Sequence, residues 1–183
     1  MKFFRNRISS RFLKHLLFAL IVFLPGFIFG QTIDSKEIAL EKTSKFVAEI
    51  AKNSYPKIKR EKLRYKTFKS ESNFFKARFS FGRFLTFRRM RHLIYVNPKV
   101  FSNGAPETGV KAILAHELAH VLYYTEKNRF QLLGLASLAS KSFTRKFERK
   151  ADLEAIARGY GRGLIEYREW LYKNIPSDRL AAK

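Results

Sequence analysis

The sequence predicts an α+β fold in which a small antiparallel sheet lies between helices. Apolar residues alternate with basic or polar ones over positions 62–69 and 75–81, which is the period of strands with one buried and one solvated face. On either side of this segment, apolar residues recur every three to four positions, as they do in amphipathic helices. The strands follow one another without helices between them, which favours an antiparallel meander.

The N-terminal helix is predicted to begin at Asp34 or Ser35 and to end near Lys52. Four strands are expected after it, over residues 62–69, 75–81, 84–88 and 91–96, with turns at 70–73 and at Gly82. Three more helices are expected over residues 106–124, 142–159 and 164–174. The short apolar stretch 130–139 is interpreted as a buried hairpin or a loop beside the functional site, because it is too short to span a bilayer.

Residues 1–30 are interpreted as a signal peptide or N-terminal anchor, and residues 31–183 as one domain. The first segment has five basic residues and no acidic one, and its apolar run, 16–29, is shorter than the roughly 20 residues of a membrane span. Cleavage after Gly30 and retention as an anchor both agree with this pattern. Either way we expect an exported protein: periplasmic, secreted, or tethered to the membrane by residues 16–29.

Composition restricts the chemistry that the domain can carry. The 183 residues include no cysteine, which excludes disulfides and cysteine-ligated metals, so His and carboxylates are the remaining strong metal ligands. The net charge is +22, and +12 of it falls within residues 53–105. Because the basic residues alternate with apolar ones, they are expected on the solvated face of the sheet, and nucleic acid is not the expected partner. The expected partner is an acidic substrate or an anionic membrane surface.

The motif His116-Glu117-Leu118-Ala119-His120 points to metal chemistry. Histidines four positions apart lie one turn apart on one face of a helix, where both imidazoles can bind one metal ion. Glu117 lies beside them and can take a proton from an attacking water.

A catalytic zinc site normally takes three protein ligands, and three residues are candidates for the third. Glu126 follows the motif by six residues, and Glu154 falls late in the next predicted helix. Glu148 is favoured, because 28 residues leave room for that helix to return antiparallel to the first. Asp152 lies one turn beyond Glu148 and can accept the second ring N–H of a metal-binding histidine.

These two motifs, His116–His120 and Glu148-Arg149-Lys150-Ala151-Asp152, resemble the HExxH and ExxxD motifs of the gluzincin metallopeptidases. The chain is most similar to the group that contains the CAAX prenyl endopeptidases and the bacterial heat-shock membrane protease. The resemblance implies a zincin-like fold, with one zinc ion bound by His116, His120 and Glu148, Glu117 as the general base and acid, and Asp152 supporting a ligand. It also implies that residues 91–96 form the edge strand on which an extended peptide docks. Those relatives carry several transmembrane helices, whereas this chain has at most one apolar segment and looks like a minimal catalytic core.

The expected function is therefore zinc-dependent hydrolysis of peptide bonds in a peptide or protein, with an acidic substrate favoured by the basic sheet. Tyr160, Tyr167 and His92 are candidates for stabilising the tetrahedral oxyanion. The alternative is a basic binding protein of the cell envelope or membrane, in which the zinc site is structural or vestigial.

Overall fold

We describe the protein from a computed structural model, which describes residues 34–128, 131–132 and 141–175. The predicted signal peptide or anchor lies outside these residues, as does most of the apolar stretch 130–139. None of the helices in the described ranges combines the length and the apolar character needed to cross a bilayer.

The described residues form a mixed α+β fold, which confirms the α+β class. A short 3-10 turn at Arg60–Lys62 precedes the first strand. Six helices and three strands follow one another in this order: α1 Ser35–Ser54, β1 Leu63–Thr67, β2 Phe75–Phe79, α2 Phe81–Leu85, β3 His92–Val96, α3 Lys99–Ser102, α4 Glu107–Glu126, α5 Lys141–Ala157 and α6 Gly161–Asn174.

Helix α1 begins where the sequence predicts. The Asp34 side chain accepts a hydrogen bond from the backbone N–H of Lys36 at 3.1 Å and so caps the first turn. The helix buries one stripe that includes Val47 and Ile50, and this stripe packs against the sheet and α4.

The sheet is mixed, and the prediction of an antiparallel meander is wrong. The strand order is β1-β3-β2, with β1 parallel to β3 and β2 antiparallel to β3. The last strand in sequence therefore inserts between the first two. Residues 91–96 were expected to include an edge strand, but β3 lies in the centre, and within the described residues the edges are β1 and β2. Alternation along each strand identifies its buried face, but it carries no information on which strands become neighbours.

The predictions of a strand over residues 84–88 and of a turn at Gly82 are also wrong. Residues 81–85 form the one-turn helix α2, in which Gly82 accepts a hydrogen bond from the backbone N–H of Thr86 at 3.1 Å. Phe84 is buried against Tyr124 and Leu132, while Phe81 and Leu85 are exposed. An apolar segment this short does not distinguish a strand from a helix, and the packing of Phe84 favours the helix.

Helix α4 is the centre of the domain and is buried along most of its length. It packs against the sheet and α1 on one side and against α5 and α6 on the other. Gly163 allows the close approach of α6, because a Cβ at this position would lie 2.5 Å from the backbone oxygen of Thr108 and 2.7 Å from the Ala112 side chain. Gly159 (φ 91°) follows the end of α5, which confirms its predicted role in ending that helix.

Candidate metal centre

The centre is built on the middle of α4. His116, Glu117 and His120 are only 6–7% exposed, which is unusual for ionisable side chains and is a consequence of the central position of this helix. The two histidines lie one turn apart, with their ring centroids separated by 4.8 Å. His120 also stacks on Phe147 of α5 at a centroid distance of 4.5 Å, which holds its ring in place.

Helix α5 brings a carboxylate to the two imidazoles. The Glu148 Oε2 atom lies 3.1 Å from His116 Nε2 and 3.5 Å from His120 Nε2, and the two Nε2 atoms are 3.2 Å apart. These three atoms could bind one metal ion. Their spacings match the edges of a coordination tetrahedron, which are about 3.3 Å long for bonds of about 2.0–2.1 Å.

Asp152 lies one turn beyond Glu148 and contacts the other nitrogen of His116. Its Oδ1 atom is 2.9 Å from His116 Nδ1, so an Nδ1–H donor leaves Nε2 facing the cluster as a ligand. The second carboxylate oxygen accepts a hydrogen bond from Arg168 of α6 at 3.2 Å. Three consecutive helices thus contribute to the orientation of one imidazole.

Electrostatics within the cluster favour ionised carboxylates. Burial acts to lower the pKa of His116, but its hydrogen bonds to Asp152 and Glu148 outweigh burial and raise the pKa to about 10. Burial acts to raise the pKa of Glu148, but the hydrogen bonds from both histidines lower it well below its usual range. The hydrogen bond from His116 also lowers the pKa of Asp152. A metal ion that binds here must therefore displace a proton from His116.

Glu117 lies beside the three donor atoms and is not one of the group. Burial raises its pKa above the usual value, against the opposing effect of the neighbouring histidines. The backbone N–H of Ala77, in β2, faces this carboxylate and favours its ionised form. A carboxyl group with a raised pKa, next to residues that could bind a metal ion and next to a strand edge, is suited to receive and return a proton.

A cleft of about 910 Å³ opens in front of the cluster. Its walls come from β2, α4, α5 and α6, so that residues 73–78 face the carboxylates of Glu117, Glu148 and Asp152 across it. The Glu148 side chain is 52% exposed and joins the buried histidines to this open space. The cluster is therefore accessible from solvent on one side.

The other two candidates for the third ligand lie elsewhere. Glu126 pairs with Lys57 at 3.4 Å, and Glu154 pairs with Arg158 one turn along α5. Both line a second cavity of about 350 Å³, which His120 also borders, but neither belongs to the group of donor atoms formed by His116, His120 and Glu148.

Of the three candidates for stabilising an oxyanion, only Tyr167 lines the cleft. It is 5% exposed, and burial raises the pKa of its phenol. The Tyr160 hydroxyl instead contacts Ser54 Oγ at 3.0 Å. His92 lies on the buried face of β3, where Nε2 contacts Thr125 Oγ1 at 3.4 Å and the ring stacks with Tyr124.

Arg168 and the backbone of Ala77 are parts of the site that sequence reasoning missed. Arg168 follows Asp152 by sixteen residues, and nothing in their spacing indicates that the two side chains meet. The amide of Ala77 has no sequence signature at all, because any residue but proline supplies one.

Comparison of the chain with protein-family models, curated proteins and solved structures finds no match.

Proposed function

We propose that the protein is a zinc-dependent endopeptidase. The proposal rests on one observation: two imidazole nitrogens and one carboxylate oxygen converge at 3.1–3.5 Å from one another, beside a buried glutamate, at the base of an open cleft. Two nitrogen donors favour zinc over magnesium or calcium, which prefer oxygen. Three protein donors with one open side are typical of catalytic zinc sites, whereas structural sites are closed by a fourth.

In this proposal His116, His120 and Glu148 would hold the ion. Bound zinc would lower the pKa of a water molecule and polarise the scissile carbonyl. Glu117 takes the proton of the attacking water and delivers it to the leaving amine, and its raised pKa suits both steps. Asp152 holds His116 in the required tautomer. Tyr167 and Arg168, on the α6 wall of the cleft, are the side chains suited to stabilise the oxyanion.

The edge of β2 away from β3, which within the described residues pairs with no other strand, is suited to bind an extended peptide. Hydrogen bonds from Asn97 N to Phe74 O and from Ser80 N to Arg91 O, both 2.8 Å, place the even-numbered residues of this strand in hydrogen-bonded pairs with β3. The backbone groups of residues 75, 77 and 79 therefore point away from β3, towards the catalytic helix. A substrate strand that added here would pass beside Glu117.

The charges around the cleft favour an acidic substrate. Lys76, Arg78 and Arg168 all line it. Within the described part of the chain, no carboxylate lies within 4.0 Å of the Lys76 or Arg78 side chain, and Arg168 is 64% exposed despite its bond to Asp152. Acidic side chains on either side of the scissile bond would be attracted to this rim.

The experiment combines metal analysis with a Glu117→Gln variant. Purified protein reconstituted with zinc should hold one ion per chain and cleave an acidic peptide library, and a chelator should abolish cleavage. Glu117→Gln should keep the zinc and lose at least about a thousandfold in activity, because the proton acceptor is gone. The matched control is Glu154→Gln, a glutamate on α5 paired outside the cleft, which should leave both properties unchanged. Full activity in Glu117→Gln, or no bound zinc in the wild type, would contradict the proposal.

The alternative is a basic binding protein with a structural zinc site. The exposed Glu148 and the open cleft argue against it, since a structural ion is enclosed by its ligands. Zinc binding without any peptide cleavage, together with loss of folding on chelation, would favour the alternative.

A further inference from the structure

The segment Arg78–Arg91, which we call the arginine patch, combines exposed apolar side chains with positive charge. It contains five arginines and no acidic residue, at positions 78, 83, 88, 89 and 91. Phe81 is 61% exposed, Leu85 57% and Phe87 82%. Three large apolar side chains this exposed within seven residues are uncommon on a soluble surface, and they mark an interaction site.

The geometry of α2 shows that this exposure is built into the fold. Phe84 is 6% exposed and packs with Tyr124 and Leu132, so the helix is attached to the domain through one side. Phe81 and Leu85 are one turn apart and both remain more than half exposed, although the Phe81 ring stacks on Phe84 at a centroid distance of 5.9 Å. The short helix therefore leaves two apolar side chains exposed, while Phe84 is buried among the described residues of the domain.

The backbone at Phe87 supports the same interpretation. Its φ of 53° is the left-handed conformation that usually falls to glycine at the end of a helix. The hydrogen bond from Arg88 N to Arg83 O, at 3.1 Å, closes the helix around it. An exposed aromatic ring at a position where glycine is favoured is costly for the isolated chain, and strained residues of this kind cluster at functional sites.

We infer that the arginine patch binds the surface of an anionic lipid bilayer, with Phe81, Leu85 and Phe87 entering the interface and the arginines contacting lipid phosphates. The charge accounts for attraction to anionic lipids. The apolar side chains decide between partners, because a soluble polyanion offers them no apolar phase to enter, whereas the headgroup and acyl boundary does.

The patch is connected to the cleft through β2. This strand lines the cleft and leads directly into α2, and Phe79 at its end contacts both Phe84 and Tyr124, with centroid distances of 5.7 and 5.4 Å. Docking of the patch would hold one end of the cleft near the bilayer surface. The inference does not involve His116, His120 or Glu148. Its test therefore gives a result that does not depend on the proposed peptidase activity.

The test uses the full chain and its lack of cysteine. A single Leu85→Cys substitution carries an environment-sensitive fluorophore, and the matched control carries it at Ile165→Cys, on α6, where the native side chain is similarly exposed at 62%. Vesicles of phosphatidylcholine with about one third phosphatidylglycerol should shift the emission of the Leu85 probe to the blue and leave the Ile165 probe unchanged, whereas pure phosphatidylcholine should shift neither. Because the probe reports insertion at its own position, vesicle binding by another part of the chain does not produce the shift.

Two further changes separate charge from apolar insertion. Arg89→Glu should raise the lipid concentration that gives half of the emission shift by about tenfold or more, while Lys45→Glu on α1 should leave it unchanged. Phe81→Ser should raise it about tenfold, because one apolar side chain no longer leaves water. A Glu117→Gln chain should insert like the wild type. An unshifted Leu85 probe, an equal shift at Ile165, or soluble heparin binding that is as tight as vesicle binding and insensitive to Phe81→Ser would overturn the inference.

Discussion

The candidate metal centre and the arginine patch depart in opposite ways from the usual burial of residues, in which charged side chains are exposed and large apolar ones are buried. At the cluster, His116, Glu117 and His120 are buried, and at the patch Phe81 and Leu85 are exposed. Both arrangements cost free energy in the folded chain. At the cluster, hydrogen bonds between helices α4, α5 and α6 offset the cost within the protein. At the patch, more than half of each of these side chains is exposed, and the proposed bilayer contact would offset the cost.

The comparison indicates that the residues proposed to catalyse a reaction and the residues proposed to bind a surface lie in two different regions of the domain. The groups that would act on a substrate under the proposed function lie on the central helix and its neighbours. The groups that would contact a bilayer lie on or next to a one-turn helix whose buried residue is Phe84.

The largest effect is expected for Glu148→Ala, which removes the carboxylate donor of the cluster. The affinity for zinc should fall by about a thousandfold or more, beyond the ten- to hundredfold typical of a lost supporting carboxylate. Competition with a chromogenic chelator measures the dissociation constant. Glu154→Ala on the same helix is the control and should bind zinc like the wild type. Equal affinity in the two variants would show that the cluster is not the binding site.

His92 and His116 provide an internal comparison of two buried histidines. Burial lowers the pKa of His92 from 6.5 to about 4, whereas carboxylates raise that of His116. The folded protein therefore keeps His92 neutral, and below pH 6.5 the unfolded chain binds a proton that the folded chain rejects. This contribution to stability is fully present above pH 6.5 and is lost as the pH falls towards 4, by up to about 3 kcal/mol.

Urea unfolding of the wild type and of His92→Leu between pH 4 and pH 7 measures this contribution. The free energy of unfolding of the wild type should fall more steeply on acidification, because the variant has lost the histidine. Parallel curves for the two proteins would contradict the assignment of a low pKa to His92.

Asp152→Ala tests the support given to His116. We expect the affinity for zinc to fall about 10- to 100-fold, less than for Glu148→Ala, because a supporting carboxylate is lost and the three donor atoms remain. Isothermal titration of the metal measures the change. If Asp152→Ala weakened binding as much as Glu148→Ala, the two carboxylates would have equivalent roles, and the assignment of Glu148 alone as the ligand would be wrong.

The smallest effect concerns the backbone of the patch. Phe87→Gly should be more stable than Phe87→Ala by about 1 kcal/mol, since glycine adopts a positive φ without a steric penalty. Both variants remove the ring, so the comparison isolates the backbone term. The same pair of substitutions at Phe81, inside α2, should give the opposite order, because alanine is the better helix former. Denaturant midpoints measure both differences.

Local patterns predicted the elements that bear the site. Apolar periodicity and the Asp34 cap located α1, and the spacing of His116 and His120 placed both rings on one face of α4. The spacing of Glu148 and Asp152 did the same on α5, where one residue now faces the Nε2 atoms and the other faces Nδ1. Each of these is a property of a single helix, for which sequence spacing is sufficient.

The sheet and the segment that follows β2 could not be predicted in the same way. Strand order depends on contacts between residues far apart in sequence, so β3 inserts between β1 and β2 without a local indication. Residues 84–88 were predicted as a strand, yet Phe84 and Leu85 end a helix, because Phe84 is buried against Tyr124. Arg168 joins the cluster only because α6 packs beside α5.

The sequence by itself determined the chemistry that this protein can carry: no cysteine, four histidines with two of them one helical turn apart, and excess positive charge between residues 53 and 105. Tertiary structure alone decided which carboxylate meets the histidines, which strand edge faces Glu117, and that Phe81 and Leu85 of the arginine patch remain exposed. The physical reason is that spacing along a helix fixes the direction of its own side chains, whereas contacts between elements depend on how the whole core packs.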